Sequence, residues 1–372
     1  MAAKIRLGFV GANIRSDWAN KSHFPALRAS PDIELTAVCT TNPQSAEEAR
    51  QAFGAKLAFS DYRQMAASPE IDAVAIVVRA PSHFAPTMAA LACGKHIYTE
   101  WPLGVTTTEA EQMTTLARTK GVFTAVGLQS RVSPALLYMK ELVAGGYVGT
   151  ILTCRATAIR HGALERPQHR TWFADVTQGA NPLTIMTAHI VDSLRFVAND
   201  FSQLSAMVTS QVRQWRVKET GELLNVSAPD NIMLHGHLVN GAVACVQVAT
   251  VPWAPAGYLM EVYGTEGKLA ISSKVSSNHG EQDEMLKLRG VHNGKDLQDL
   301  PVPDRFFFLP SDFPRGTPFP IGQMYALLAQ AIRTGKAPIE LQSFDKALQV
   351  HRLLDVIRYA AESRQMVTVP IL

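Results

Sequence analysis

His189 and Asp192 stand three residues apart in a stretch, 183–197, that reads as a helix, so their side chains share one helix face. An imidazole titrates close to neutrality and can take a substrate proton as a general base, with Asp192 orienting it. The same pair also reads as a hydrogen-bonded core histidine beside a carboxylate that caps a neighbouring contact. His161, Trp172, Asn181 and Thr184 add donors and aromatic surface, with Arg160, His169, Arg170 and Thr187 near them in the chain. That mixture suits a small hydroxylated or anionic substrate.

A second set of residues could hold a nucleotide. The first strand, 5–10, runs into Gly11-Ala12-Asn13-Ile14-Arg15-Ser16, where a dinucleotide fingerprint would carry three glycines. Only the first is present. Asn13 is a tolerable stand-in for the second, because Asn enters positive φ more readily than most residues. Ser16 is larger than the third glycine, so the stretch also reads as an ordinary strand-to-helix turn. The second strand ends in Cys39-Thr40-Thr41-Asn42, with no carboxylate to select the ribose 2′-hydroxyl of NAD. Two hydroxyls and an amide there could hold a 2′-phosphate, which tilts the expectation from NAD toward NADP. Arg79 closes a buried strand, where open α/β sheets bind ligands. Its charge either approaches cofactor phosphates or pairs with a carboxylate.

The elements that must position these groups fall into two halves. Over the first ~125 residues, short apolar runs (5–10, 34–39, 57–59, 73–78, 96–98, 123–126) alternate with helical patterns (24–29, 45–53, 84–93, 107–119). Such alternation implies crossover units and a doubly wound, Rossmann-type parallel sheet. Residues 73–78 lack any polar alternation, as a strand buried on both faces should. After Ser133-Pro134 a helix runs toward Gly145-Gly146. Longer alternating strands follow at 151–159, 205–212, 231–238, 242–251, 259–263 and 268–271, with an Asn240-Gly241 turn marking a hairpin. Helices are expected near 323–333 and 344–363, after an irregular Pro- and Phe-rich stretch at 301–320. The predicted fold class is α/β: a dinucleotide-binding domain over 1–127, then an α+β domain over 128–372 with a large, mostly antiparallel sheet for substrate binding and oligomerisation.

Composition narrows the remaining classes. In 372 residues, 47 % are hydrophobic and 18 % charged, ordinary values for a globular chain and unlike a disordered one. Lys+Arg 35 against Asp+Glu 32 leaves +3, and no basic run exceeds two residues, so neither nucleic acid nor an anionic membrane is an expected partner. The longest apolar run has six residues, far short of the ~20 of a spanning helix. The chain enters its first strand with no leader-like segment, and Cys39, Cys93, Cys154 and Cys245 lie far apart in apolar settings. Buried free thiols in a cytoplasmic protein are expected, and no metal site.

Several spaced motifs carry a resemblance. Asp72-Ala73-Val74-Ala75-Ile76-Val77-Val78 precedes Ser82-His83, and Ala90-Leu91-Ala92-Cys93-Gly94-Lys95-His96 leads into Ile97-Tyr98-Thr99-Glu100-Trp101-Pro102-Leu103. Gly127-Leu128-Gln129-Ser130-Arg131, Val148-Gly149-Thr150-Ile151 and Tyr263-Gly264-Thr265-Glu266-Gly267 follow in order. Together they resemble the glucose–fructose oxidoreductase / inositol dehydrogenase / MocA family over nearly the whole chain. Gly11-x-Asn13, Trp18-Ala19, Lys21-x-His23, Glu100-Trp101 and Thr187-Ala188-His189-Ile190-Val191-Asp192 look most like the branch that contains the fungal galactose-pathway repressor.

The resemblance implies hydride transfer between a nicotinamide and a sugar, polyol or related cyclic alcohol. It places Gly11, Ala12, Asn13, Thr40, Thr41, Asn42, Arg79, His83, Glu100, Trp101 and Gln129 around the cofactor, with Glu100 near the nicotinamide ribose. The family's catalytic Lys, Asp and His positions fall on Trp101, Ile185 and His189, so only the histidine keeps a proton-accepting group. An indole nitrogen donates only, so Trp101 can stack on a nicotinamide or sugar ring, or simply fill core. His83 either touches the cofactor or is an isolated histidine at a helix start. A catalytically silent dinucleotide-binding sensor is therefore the alternative to an oxidoreductase. Family members pair through the open face of the second sheet, so a homodimer or homotetramer is expected. The stretch 242–251, apolar at both parities, is then expected to be buried on both faces.

Overall fold

The structure is a computed structural model that describes residues 3–274, 286–294 and 296–370. It forms two compact units. One comprises residues 1–132 and 307–348, the other 133–306 and 349–372. The sequence closes the first domain at 127 and assigns everything after it to the second. The structure instead returns 307–348 to the first unit. The reason is apolar: Phe319, Met324, Tyr325 and Leu328 join Leu7, Phe9, Ile33 and Tyr98 in a single buried cluster.

In the first unit a parallel sheet contains β1 (Ile5–Val10), β2 (Ile33–Cys39), β3 (Leu57–Phe59), β4 (Ala73–Ile76), β5 (His96–Thr99) and β6 (Thr124–Val126), in the order β3-β2-β1-β4-β5-β6. The chain order reverses between β1 and β4, which is the switch point where such sheets open a crevice at the strands' carboxyl ends. All four residues of β4 are buried, in line with the missing polar alternation. The helices are α1 (Asp17–Lys21), α2 (His23–Ala29), α3 (Pro43–Phe53), α4 (Tyr62–Ala67), α5 (Phe84–Ala92) and α6 (Thr107–Lys120). The start of α6 is fixed by a reciprocal cap. Thr106 Oγ1 accepts the Glu109 N–H at 3.2 Å, and Glu109 Oε2 accepts the Val105 N–H at 2.7 Å.

The second unit begins with α7 (Pro134–Ala144) and β7 (Ile151–His161), then β8 (Glu165–Arg166). It continues through α8 (Ala188–Ala198), β9 (Phe201–Thr209), β10 (Gln214–Val217), β11 (Leu223–Asn225), β12 (Asn231–Leu238) and β13 (Val243–Val251). The strands β14 (Gly257–Gly264), β15 (Gly267–Ser273), β16 (Lys287–His292) and β17 (Gln298–Asp299) follow. The helices α9 (Pro318–Thr334) and α10 (Phe344–Ser363) and the strand β18 (Val367–Thr368) close the chain, and the boundary between units falls inside α10. Among the described residues the large sheet runs β17-β16-β15-β14-β7-β13-β12-β9-β18. Its one parallel pair, β7 with β13, lies at the middle, and the other pairings are antiparallel. The hairpin expected at Asn240-Gly241 joins β12 to β13, with Gly241 at φ +87°.

The expectation that 242–251 is buried on both faces is corrected. Ala244, Val246 and Val248 point inward, whereas Val243 and Cys245 are exposed. They share an open, partly apolar face with Met207 and Met233, which are paired across β9 and β12. The cysteines divide likewise: all four are free, Cys39 and Cys154 buried, Cys93 and Cys245 exposed.

Candidate dinucleotide and substrate sites

Six loops leave the carboxyl ends of the parallel strands, and the first-unit candidates gather on those loops. Gly11 ends β1 with φ +94°, and a Cβ there would come 2.1 Å from the Val77 carbonyl oxygen beyond β4. Only glycine allows this close passage at the switch point. The Gly11 and Ala12 N–H groups donate to Cys39 O at 3.0 and 3.3 Å, which ties the loop to the end of β2.

The stand-in argument for Asn13 is corrected. Its φ is not among the positive values, and its Oδ1 instead accepts the Arg15 N–H at 2.8 Å, a side-chain turn that holds the loop. Ser16 caps α1 from the Ala19 N–H. The reading of Thr40 and Asn42 as phosphate ligands is also corrected. Thr40 Oγ1 lies 2.7 Å from Ser45 Oγ, and Asn42 Oδ1 accepts the Ser45 N–H at 2.9 Å, so both serve the start of α3. Thr41 is exposed beside them. Arg79 is exposed at the end of β4.

His83 is 1 % exposed, with Nδ1 2.8 Å from Pro102 O and Nε2 3.0 Å from Val78 O. Burial pulls its pKa down, outweighing the carbonyls that favour the charged ring. The side chain clamps two strand-end loops together and is not aimed at a cofactor, which corrects the reading by resemblance. Gln129 is 2 % exposed just past β6, and its Oε1 is buried with no protein partner, as is Thr99 Oγ1 at the end of β5. Trp101 is 6 % exposed and joined to Pro102 by a cis peptide.

Glu100 is the centre of a network that sequence reasoning left without a role. Its Oε1 lies 3.0 Å from His23 Nε2 and accepts the Tyr98 hydroxyl at 3.1 Å, while Oε2 accepts the Trp18 indole N–H at 3.0 Å. His23, fully buried, places Nδ1 2.8 Å from the Tyr325 hydroxyl. One assignment satisfies every group: Tyr325 O–H donates to Nδ1, and Nε2–H donates to Glu100. Burial holds both tyrosines well above their usual pKa, so they keep the protons they donate. A carboxylate has about four acceptor directions; three are taken, so Glu100 reaches a ribose with one, on Oε2. Gly127 lets the chain pass, since a Cβ there would lie 2.8 Å from Oε1. The Trp18…His23 spacing was the available signal, but nothing in it named Glu100 as the target.

In the second unit, Asn181 and Thr184 are buried and engage each other. Thr184 Oγ1 accepts the Asn181 N–H at 2.9 Å, and Asn181 Oδ1 accepts the Leu183 and Thr184 N–H groups at 3.0 and 3.2 Å. They build the entry to a π turn, Leu183–Thr187, which replaces the regular helix expected there. Thr187 N–H donates to Pro182 O at 2.9 Å, a five-residue step. His189 follows in the first turn of α8, 6 % exposed, with its carbonyl accepting Ser193 Oγ at 2.8 Å, and Asp192 is fully buried one turn on. His161 is exposed at the end of β7, and Trp172 is half-buried and stacked on Phe173 at 4.0 Å. Among the described residues, no group of His, Cys, Asp and Glu could hold a metal ion, and no helix is long and apolar enough to cross a membrane.

Residues 5–128 match the family model described as "Oxidoreductase family, NAD-binding Rossmann fold", and residues 134–273 match "Gal80p, C-terminal domain". The chain is 29 % identical over 324 residues to the galactose/lactose metabolism regulatory protein GAL80 of Saccharomyces cerevisiae, covering 81 % of this chain and 73 % of that one. It is 30 % identical over 248 residues to dehydrogenase aclE of Aspergillus oryzae, covering 64 % and 68 %. Among solved structures, levoglucosan dehydrogenase in complex with NADH and L-sorbose superposes with a TM-score of 0.85 over the whole of both chains at 22 % identity, a likeness of fold. Dehydrogenases and a regulatory protein thus both stand among its relatives, and the chain belongs to the GFO_IDH_MocA oxidoreductase family.

Proposed function

We propose that the chain is an NAD(P)-dependent oxidoreductase acting on a CH–OH group of a sugar, polyol or related cyclic alcohol. The observation that carries this reading is the crevice at the β1/β4 switch point, where Gly11 alone permits the close backbone passage and Gln129 leaves a buried acceptor unpartnered. Those features fit a dinucleotide. Gly11 and Ala12 shape the loop, Gln129 and the remaining Oε2 direction of Glu100 can receive hydroxyl or amide donors, and Trp101 offers an apolar ring. A bound nicotinamide would supply the hydride donor or acceptor. With Trp101 and Ile185 unable to take a proton, the acid/base role goes to His189. The absence of a carboxylate after β2 leaves both NAD and NADP as cofactors, and once Thr40 and Asn42 are assigned to α3 the reason for preferring NADP falls away.

Titration with NADH and NADPH, followed by a screen of sugars and polyols at the reduced-nicotinamide absorbance, tests the reading. His189→Ala is expected to lower turnover by roughly 10²–10⁴-fold while nucleotide affinity stays within about twofold. Tight nucleotide binding with no turnover across the panel would establish instead the silent sensor, which the presence of Trp101 and Ile185 in place of proton-accepting groups favours.

The open face bearing Met207, Met233, Val243 and Cys245 supports pairing of two copies there. Thiol labelling at pH 8 reports it. Burial pushes both Cys39 and Cys154 up to about 12, so neither should react before unfolding, whereas exposed Cys93 should react promptly. Cys245 should be protected in the paired species and labelled in diluted monomer. Equal labelling of Cys245 in both would move the pairing surface elsewhere.

A further inference from the structure

A cluster of arginines in the second unit remains outside the roles given above. Arg166, in β8, lays its guanidinium over the Trp215 ring, 4.6 Å from the centroid. Trp215 is itself fixed in a small apolar cluster with Ala174, Val226 and Ala228. On its other side Arg166 lies against Gly162, just past β7. That glycine has φ +119°, and a Cβ on it would come 2.0 Å from Arg166 Nη1. The backbone of the strand is anchored too, with Lys218 N–H donating to Arg166 O at 3.0 Å. An aromatic wall and a glycine floor thus hold a half-buried guanidinium in one place.

No carboxylate pairs with Arg166 among the described residues. Glu219, close by in the fold, accepts the Gln168 N–H at 2.7 Å. What does face Arg166 is more positive charge. Burial, then the charges of Arg160 and Arg170, push its pKa down to about 10. A protein that gathers three like charges around a desolvated site has placed a potential where an anion would be stabilised. The planar fork of a guanidinium matches the two oxygens of a carboxylate or phosphate.

We propose that Arg166, supported by Arg160 and Arg170, is an oxyanion subsite that takes the carboxylate or phosphate of an acidic sugar. As a substrate subsite it rests on the oxidoreductase reading; as a binding site it stands without it. Calorimetric titration of the full chain with D-glucuronate, D-glucose 6-phosphate, inorganic phosphate and D-glucose tests it. At least one charged sugar is expected to bind ten times or more tighter than D-glucose, and which one does so identifies the oxyanion. Arg166→Met should remove that advantage, and Arg166→Lys, which keeps the charge and loses the fork, should retain part of it. Near-ultraviolet dichroism of the Trp215 region confirms that the variants fold. Equal affinity for charged and neutral sugars, an advantage untouched by Arg166→Met, or inorganic phosphate binding as tightly as either sugar overturns the proposal. NADH titrated in parallel separates the two readings. A charged-sugar preference without nucleotide binding leaves the subsite and removes the dehydrogenase, and the converse removes the subsite alone.

Discussion

Gly11→Ala is expected to abolish tight binding of pyridine dinucleotide and to lower the unfolding midpoint of the chain by roughly 5–15 °C. Two costs combine. An L-residue held at positive φ loses about 1–2 kcal/mol, and forcing a methyl into a filled space adds about 1–3 kcal/mol or more. The backbone carbonyl of Val77, 2.1 Å from the added carbon, cannot swing aside as a side chain would. Their sum of about 2–5 kcal/mol, at about 2–4 °C per kcal/mol for a unit of this size, gives the shift. Gly54→Ala separates the two contributions. Gly54 has φ +73° but nothing within 4 Å of its added carbon, so only the conformational cost of about 1–2 kcal/mol should appear. Differential scanning fluorimetry with and without NADH reads both variants. If Gly11→Ala melts with the wild type and still shifts with nucleotide, the loop after β1 is not the cradle.

The strands that alternate with helices were legible because a parallel sheet buried on both faces writes itself as unbroken apolar runs, and Ala73–Ile76 is the clearest of them. The Asn240-Gly241 hairpin was legible because its turn demands positive φ. Elements too short to show a period were not: α1, α4, β10 and β11 have three to six residues each. The return of 307–348 to the first unit was hidden as well, since a buried helix such as α9 reads the same whichever core receives it. At the site, residue type misled where a polar side chain serves its own backbone. Asn13, Thr40, Asn42, Asn181 and Thr184 all looked like ligands, yet they close turns or start helices. Pairings between distant residues, such as Trp18 with Glu100 or Arg166 with Trp215, have no local signature.

Replacing Glu100 should be costly in proportion to how many donors are left facing nothing. In Glu100→Leu the Trp18 indole, the His23 ring and the Tyr98 hydroxyl all lose their acceptor, and breaking a buried charged network of this kind costs about 3–5 kcal/mol. Glu100→Gln is nearly isosteric and isolates one contact. Its carbonyl can still receive His23 and Tyr98, but its amide NH₂ then points at the Trp18 N–H, donor against donor, for a loss of about 1–3 kcal/mol. Trp18→Phe removes that opposing donor. Combined with Glu100→Gln it should therefore restore stability, whereas in the wild type it should reduce it, giving a coupling energy of about 0.5–3 kcal/mol. Urea unfolding of the four proteins in the cycle measures this directly. Equal effects of Trp18→Phe in both backgrounds would mean that the carboxylate is not held by the indole. The assembly would then owe its stability to the aromatic packing of His23 between Phe9, Tyr98 and Tyr325, whose ring centroids lie 5.4–5.8 Å from its own.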